Sequence, residues 1–375
     1  MKTKRNWKRL AQVLFVLVSV ALFFLQIDMG TSPESGITQE YLEGEITGVS
    51  ESESIQSLDV VLMEGPNAGE TVSLSNNLNS YANAIEYLEG DEVMLLQSSG
   101  SLELEQLFIV DYVRYPKIYL LFALFVGVVL VINGKKGIYS LLSMAFSFLV
   151  LFKLILPLLL KGVDPVLAVL FGSLFILPAI FYLSHGVNRK TSIAITGTLI
   201  TLALTGFLAT IFTELIQLNG LATEEAGFLK VGIGENINFR GLLLGGMIIS
   251  VLGVLDDVSI TQTSVVEQLK AAQNKISFKE LYRRSMAVGR DHIASVVNTL
   301  ILVYTGASLP LLLLFVDSSE TFNQIINYEF MAEEITRTLV GSIGLIFAVP
   351  ITTLIACFVF NKGKDLKLDE LTHVH

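Results

Sequence analysis

Two adjacent aspartates, Asp256 and Asp257, close the apolar run FRGLLLGGMIISVLGVL and open the block DDVSITQ. A charged side chain at the centre of a membrane helix costs about 2.5–3.5 kcal/mol on insertion scales, so an acid kept there is a functional candidate by default, as a proton or cation binder. A second polar group, Arg290, Asp291 and His292, opens the next apolar run, which carries Asn298 and Tyr304 inside it. Asp291, Ser295, Asn298 and Leu302 fall at i, i+4, i+7 and i+11, so three polar groups share one helical stripe that is expected to face protein. With Gln262, which closes the first block, the candidate ion- or substrate-binding residues are Asp256, Asp257, Gln262, Arg290, Asp291, His292, Asn298 and Tyr304. Structural uses compete with this reading. The aspartates serve equally as an interfacial cap if the helix ends there, Asp291 suits an N-cap or first turn, and a lone interfacial histidine is more often satisfied than chemical.

The elements that position these residues follow from composition. The chain has 375 residues, of which 52% are hydrophobic and only 16% charged, and its mean hydropathy is +0.63. Such a chain is a polytopic membrane protein. A hydrocarbon core of about 30 Å needs about 20 apolar residues per helix, and eight segments qualify: 10–27, 115–132, 138–160, 165–183, 191–216, 241–260, 293–316 and 337–360. The first follows the basic stretch MKTKRNWKR, but its apolar run is long and no A-x-A site follows, which favours an uncleaved anchor over a signal peptide. With the N-terminus inside, the cytoplasmic segments hold 18 Lys plus Arg and the outside segments six, so both termini are expected in the cytoplasm. On that topology the segment 241–260 runs inward, and at about 1.5 Å per residue the acids lie roughly 22–24 Å along it. The next helix starts at the same depth, so antiparallel neighbours would bring the two polar groups together near the cytoplasmic face, with Arg290 neutralising one aspartate.

Residues 29–113 contain 16 Asp plus Glu and no Lys or Arg, the local source of the net charge of −10. That acidity argues against nucleic acid and against adhesion to anionic lipid. Short alternating runs, YLEGEITGVS, LDVVLMEG, ETVSLSNN, DEVMLLQSS and LEQLFIVDYVR, read as five strands, and MEGPNAGETV reads as a hairpin loop because Pro66, Gly65 and Gly69 suit its turn. NLNSYANAIEYLEG is a candidate short helix. The fold class is therefore an all-α polytopic membrane bundle of about eight transmembrane helices, with a small extracytoplasmic β-rich domain, OB-like as one closure the pattern permits, between helices 1 and 2. The expected divisions are 1–28 (cytoplasmic N-terminus and anchor), 29–114 (acidic domain), 115–360 (membrane domain) and 361–375 (cytoplasmic tail).

Smaller signals refine the bundle. Gly241, Gly245, Gly246, Gly253 and Ser250 permit close helix packing or a gate, and Gly341, Ser342 and Gly344 in the last segment permit close helix contact. Pro350 frees a carbonyl there, and Glu333 is expected to pair with Arg337 at i, i+4. Lys153 and Glu214 lie near segment ends, where a lysine can snorkel. SVVEQLKAAQNKISFKELYRRSMAVG reads as an amphipathic helical pair with a break near Asn274. The single Cys357 sits in an apolar segment, so there is no disulfide framework.

Three blocks, DDVSITQ, GRDHIASVVNTLILVYTGASLPLLLL and EEITRTLVGSIGLIFAVPITT, occur in order and cover much of 241–355. Together with the acidic domain after a first anchor they resemble the YibE/F-like family of bacterial multi-pass membrane proteins. The resemblance implies a permease-type protein of the cell membrane without defining a substrate. Enzyme and ATPase motifs, a Walker loop, H-E-x-x-H or G-x-S-x-G, are absent from the sequence, so no catalytic residue and no cofactor are assigned, and a metal is left undefined. A secondary transporter for a small solute or ion leads. A sensor or assembly scaffold with a ligand-binding ectodomain, and a membrane-embedded metal-dependent hydrolase, are the alternatives. The expected partners are the lipid bilayer, an undefined small solute or ion, and a homo-oligomer or paralogous membrane partner.

Overall fold

The structure is a computed structural model that describes residues 39–52, 54–78, 85–98, 107–233, 237–316 and 319–362. The anchor expected at 10–27 lies outside the described residues, as does almost all of the C-terminal tail. Two compact units form: the five strands with the first helix that follows them, and the remaining helices.

The strands are β1 (Gln39–Ser52), β2 (Ile55–Leu62), β3 (Thr71–Asn77), β4 (Glu92–Ser98) and β5 (Leu107–Tyr112), in one antiparallel sheet of order β3-β2-β1-β4-β5. Side chains alternate in and out, and Ile46, Leu58, Val60, Leu62, Val93 and Leu95 meet in one core. β1 is long enough to pair β4 along its first half and β2 along its second, with a bulge between Ile46 and Gly48. A second bulge lies in the β4–β5 ladder. Bulges bend and twist strands, and the sheet curls into a half-barrel whose edge strands β3 and β5 touch. The hairpin between β2 and β3 turns on Gly65 and Gly69, both near φ +90°, where a side chain would be strained. Buried Gln56 acts as an extra rung: its Nε2 donates to the Tyr87 carbonyl at 3.2 Å and its Oε1 accepts the Tyr87 amide at 3.1 Å. Residues 85–88, in the stretch read as a helix, are irregular, and 79–84 lie outside the described residues. Burial, with Asp111 nearby, pushes the Tyr87 phenol up to about 12.

Seven helices among the described residues are long and apolar enough to cross a membrane: α1 (Tyr115–Asn133), α2 (Lys135–Leu160), α3 (Pro165–His185), α4 (Arg189–Leu215), then, after the short α5 (Glu224–Ile233), α6 (Phe239–Ala272) and α7 (Phe278–Ala307), and finally Glu329–Asn361 within α10 (Glu329–Lys362). α8 (Leu309–Val316) and α9 (Phe322–Asn327) are short connectors. Polar caps start several of them: Asp164 accepts the Leu167 amide, Asn188 that of Thr191, Asn238 that of Gly241 and Ser277 that of Glu280, satisfying amides that have no helical partner. α2 contains a π turn, Leu151–Ile155, just before Pro157. Proline cannot donate to the carbonyl one turn back, and the wider turn accommodates that loss.

Two expected boundaries shift. The segment read at 293–316 is the second half of a helix that begins at Phe278 and ends at Ala307. Pro310, without an N–H for the Gly306 carbonyl, breaks it and restarts the chain as α8. The amphipathic stretch between segments six and seven is not a separate pair of helices but the continuation of α6 and α7, interrupted at 273–277. Within the bundle α10 packs against α4, α6 and α7, and α6 packs against α3 and α4.

Candidate functional site

α6 carries two opposite faces of polar and small residues. Its inward face presents Ser259, Gln262 and Thr263, all buried. Gln262 Nε2 donates to the Ser285 carbonyl of α7 at 2.9 Å and to Thr353 Oγ1 of α10 at 2.7 Å, and Thr353 Oγ1 donates to the Val349 carbonyl at 2.6 Å. Thr352 Oγ1 stands 3.4 Å from Ser259 Oγ. One buried amide thus ties three helices together. Close approach makes this reach possible. A Cβ added at Gly289 would meet the Gln262 amide at 3.1 Å, and one at Gly344 would meet Thr205 Cγ2 at 3.0 Å.

The outward face of α6 is of another kind. Gly246, Ser250, Gly253, Asp257, Thr261, Ser264 and Gln268 follow one another at intervals of three or four, and between Gly246 and Gln268 every exposed residue of α6 falls on this stripe. It runs about 33 Å along the helix axis without one large apolar side chain. A Cβ added at Gly246 or Gly253 would meet nothing within 4 Å. On one flank α3 packs against α6, Pro165 and Val169 lying against Gly241 and Gly245. On the other, the Tyr304 hydroxyl of α7 reaches Ser250. Among the described residues the small-residue stripe is therefore open between two neighbouring helices.

The candidate residues distribute over these faces. Asp257 is exposed on the open stripe, within electrostatic range of His185 at the end of α3. Asp256 is half-buried beside it, its Oδ1 accepting the Asp257 amide at 2.9 Å. Contacts from Ser250 to Tyr304 and from Gln262 to Ser285 set the antiparallel register of α6 and α7. By that register Asp257 lies level with the stretch around Ile293, so the aspartates and Arg290, Asp291 and His292 share one depth along the hairpin. Among the described residues no ion pair or hydrogen bond joins the two groups: Arg290 and Asp291 are exposed, and neither belongs to any of the ion pairs. His292 is half-buried, with Nδ1 buried and unpartnered. α7 turns Gly289, Ile293, Val297 and Leu300 toward the bundle core, whereas Asp291, Ser295 and Asn298 lie exposed on its other side. No group of three or more His, Cys, Asp or Glu among the described residues is placed to hold a metal ion.

Sequence reasoning passed over the partners of Gln262. Thr352 and Thr353 were visible as polar residues of the last segment, but Ser285 and Gly289 sat in a stretch read as cytoplasmic, and nothing in their spacing points to a glutamine on another helix. The pairing expected between Glu333 and Arg337 is replaced: Arg337 Nη1 meets Glu334 Oε1 at 2.6 Å, one turn at i, i+3. Glu333 turns inward instead and is buried.

Comparison with curated proteins and with solved structures finds no match. A family model described as "YibE/F-like protein" matches residues 121–362, well over half of the chain and all of α2 to α10. The chain belongs to the YibE/F-like family of proteins.

Proposed function

We propose that this protein is a secondary-transporter type permease of the cell membrane, in which a small solute or ion passes along the open face of α6 and Asp257 takes up the proton or cation that accompanies or constitutes the cargo. One observation carries the reading: a membrane-crossing helix whose only exposed positions from Gly246 to Gln268 are Gly, Ser, Asp, Thr and Gln. Lipid tails do not solvate such a stripe, and acids within membrane segments characteristically line water-filled paths. Gln262 and the α4–α6–α10 seam behind it supply the tightly packed wall against which such a path forms. The positive-inside count favours cytoplasmic termini, which places the acidic half-barrel outside the cell, and the approach of its edge strands favours an OB-like closure.

The test is flux in proteoliposomes across a panel of ions and small metabolites, comparing wild type with Asp257→Asn. It is paired with single cysteines at Ser250, Gly253 and Thr261 on a Cys357→Ser background, probed with a water-soluble thiol reagent. Substrate flux lost in Asp257→Asn, with reagent reaching all three cysteines, supports the reading. Unreactive cysteines, or flux indifferent to Asp257, refute it. A scaffold reading is favoured by the exposed Asp291, Ser295 and Asn298 stripe on α7, which a second copy or paralogous partner would cover. Disulfide capture through Asn298→Cys in native membranes tests it.

A further inference from the structure

We propose that the end of the bundle where α7 ends and α10 begins holds a binding site for a small primary-ammonium compound, with Glu333 as its anionic anchor. A cavity of about 270 Å³ lies there, lined by Thr223, Ala307, Ser308, Pro310, Leu311, Phe330, Glu333 and Glu334. Glu333 is only 3% exposed, and its Oε1 is a buried oxygen without a hydrogen-bond partner. A buried carboxylate oxygen without a donor is costly, and the side chain that carries it lines this cavity.

The surroundings define what that ligand is. Around Glu333 the charged groups are Glu329 and Glu334 on its own helix and Arg337 one turn on. Arg337 is committed to Glu334 at 2.6 Å, and both carboxylate oxygens of Glu329 are taken by Asn219, at 2.5 and 2.6 Å. The Ala222 backbone amide faces the Glu333 carboxylate, which leaves Oε1 as the free acceptor. The local balance is therefore anionic and calls for a cation. A metal ion of the oxygen-seeking kind wants six or more oxygen ligands, whereas Ala307, Pro310, Leu311 and Phe330 make half of this wall apolar. An ammonium on a short alkyl body matches both parts: N–H donors to Glu333 and to the Thr223 and Ser308 hydroxyls, and hydrocarbon against Leu311, Pro310 and Phe330. The site is separate from the open stripe of α6 and does not depend on transport.

Equilibrium binding on the full-length protein in detergent tests this, by titration calorimetry with n-butylammonium, sodium ion and neutral n-butanol as probes. n-Butylammonium is expected to bind, while sodium ion and n-butanol are not. Glu333→Gln keeps the shape and removes the charge, and should weaken n-butylammonium by about 10- to 100-fold, the span of a charge-assisted hydrogen bond. Leu311→Trp fills the cavity without touching the carboxylate and should abolish binding while leaving the unfolding temperature near that of wild type. The proposal falls if wild type binds no n-butylammonium, if sodium ion competes at equal concentration, or if both variants bind as wild type does. Binding without flux would overturn the permease reading and leave this site standing, and flux without binding would do the reverse.

Discussion

The same substitution, glycine to alanine, should have opposite consequences on the two sides of the α4–α6–α10 seam. At Gly344 an added Cβ would stand 3.0 Å from Thr205 Cγ2 and 3.2 Å from Thr205 Cβ. Thr205 cannot simply rotate away, because its hydroxyl donates to the Thr201 carbonyl at 2.9 Å and the residue is fully buried. Overpacking of this sort costs about 1–3 kcal/mol. At Gly253 the added Cβ meets nothing within 4 Å, so no such cost arises. Both variants gain the same helix propensity, about 1 kcal/mol, which cancels when they are compared. Gly344→Ala should therefore unfold about 1–3 kcal/mol more easily than Gly253→Ala, roughly 2–12 °C in melting temperature if a membrane bundle scales as soluble domains of 150–250 residues do. Thermal unfolding of the two purified variants in one detergent measures the gap directly. Equal melting temperatures would mean that the face of α6 bearing Gly253 is covered, and the open-path argument would go with it. If the gap holds, Gly253→Leu becomes the functional probe: a bulky side chain set into open space should leave stability within about 1 kcal/mol of wild type and stop flux.

Two further outcomes concern the half-barrel. Gln56→Leu would leave the buried Tyr87 amide and carbonyl without the partners that Gln56 now supplies, a loss of about 2–4 kcal/mol for two orphaned groups, and amide exchange at residues 85–93 in the full-length protein should quicken by more than tenfold, whereas unchanged exchange there would show that the rung is dispensable. Arg114 hydrogen-bonds Asp111 and holds its carboxyl below the ordinary range, so the share of stability from this partly exposed pair is complete above the unfolded value near ~4 and is lost as pH falls through the lower folded value; protection of β5 should drop on acidification below pH ~4 in wild type and less in Asp111→Asn, and equal slopes would remove Asp111 from the account.

Much of the architecture was legible because periodicity and composition act residue by residue. The five strands appear where period-two alternation and turn residues put them, since a half-buried sheet has no other way to cover its core. Seven of the eight expected membrane helices appear among the described residues where about 20 apolar residues recur, since hydrocarbon admits no unpaired backbone. Boundaries were less legible for a definite reason. α6 and α7 continue past the apolar runs on amphipathic sequence, and hydropathy marks where a helix leaves the lipid but not where its hydrogen bonding stops. Pro310 ended α7 inside a run that reads as uniformly apolar, LPLLLLFV, because a missing N–H weighs more than hydropathy in deciding where a helix breaks.

The candidate site shows the same division more sharply. Gly241, Gly245, Gly246 and Gly253 look alike in sequence, all permitting close approach. Gly241 and Gly245 are filled by Pro165 and Val169, while Gly246 and Gly253 meet nothing among the described residues, and only the position of α3 decides which is which. Gln262 was selected as the last residue of a motif beside two aspartates; its use, tying α6 to Ser285 and Thr353, involves residues 23 and 91 positions away that no local spacing can foresee. The aspartates next to it illustrate the converse. Their cost in a membrane is readable from the sequence, but whether the cost is met by Arg290, by water or by a cargo ion depends on faces. α7 turns its apolar side inward and leaves Arg290 and Asp291 exposed, so among the described residues no ion pair holds Asp257, and His185 at the end of α3 is a titratable group within its electrostatic range. A carboxylate without an ion-pair partner in a membrane helix is placed to draw a cation from what passes by it. Flux should therefore be lost in Asp257→Asn and retained in Asp257→Glu, which keeps the charge, and equal flux in wild type and both variants would remove Asp257 from the path.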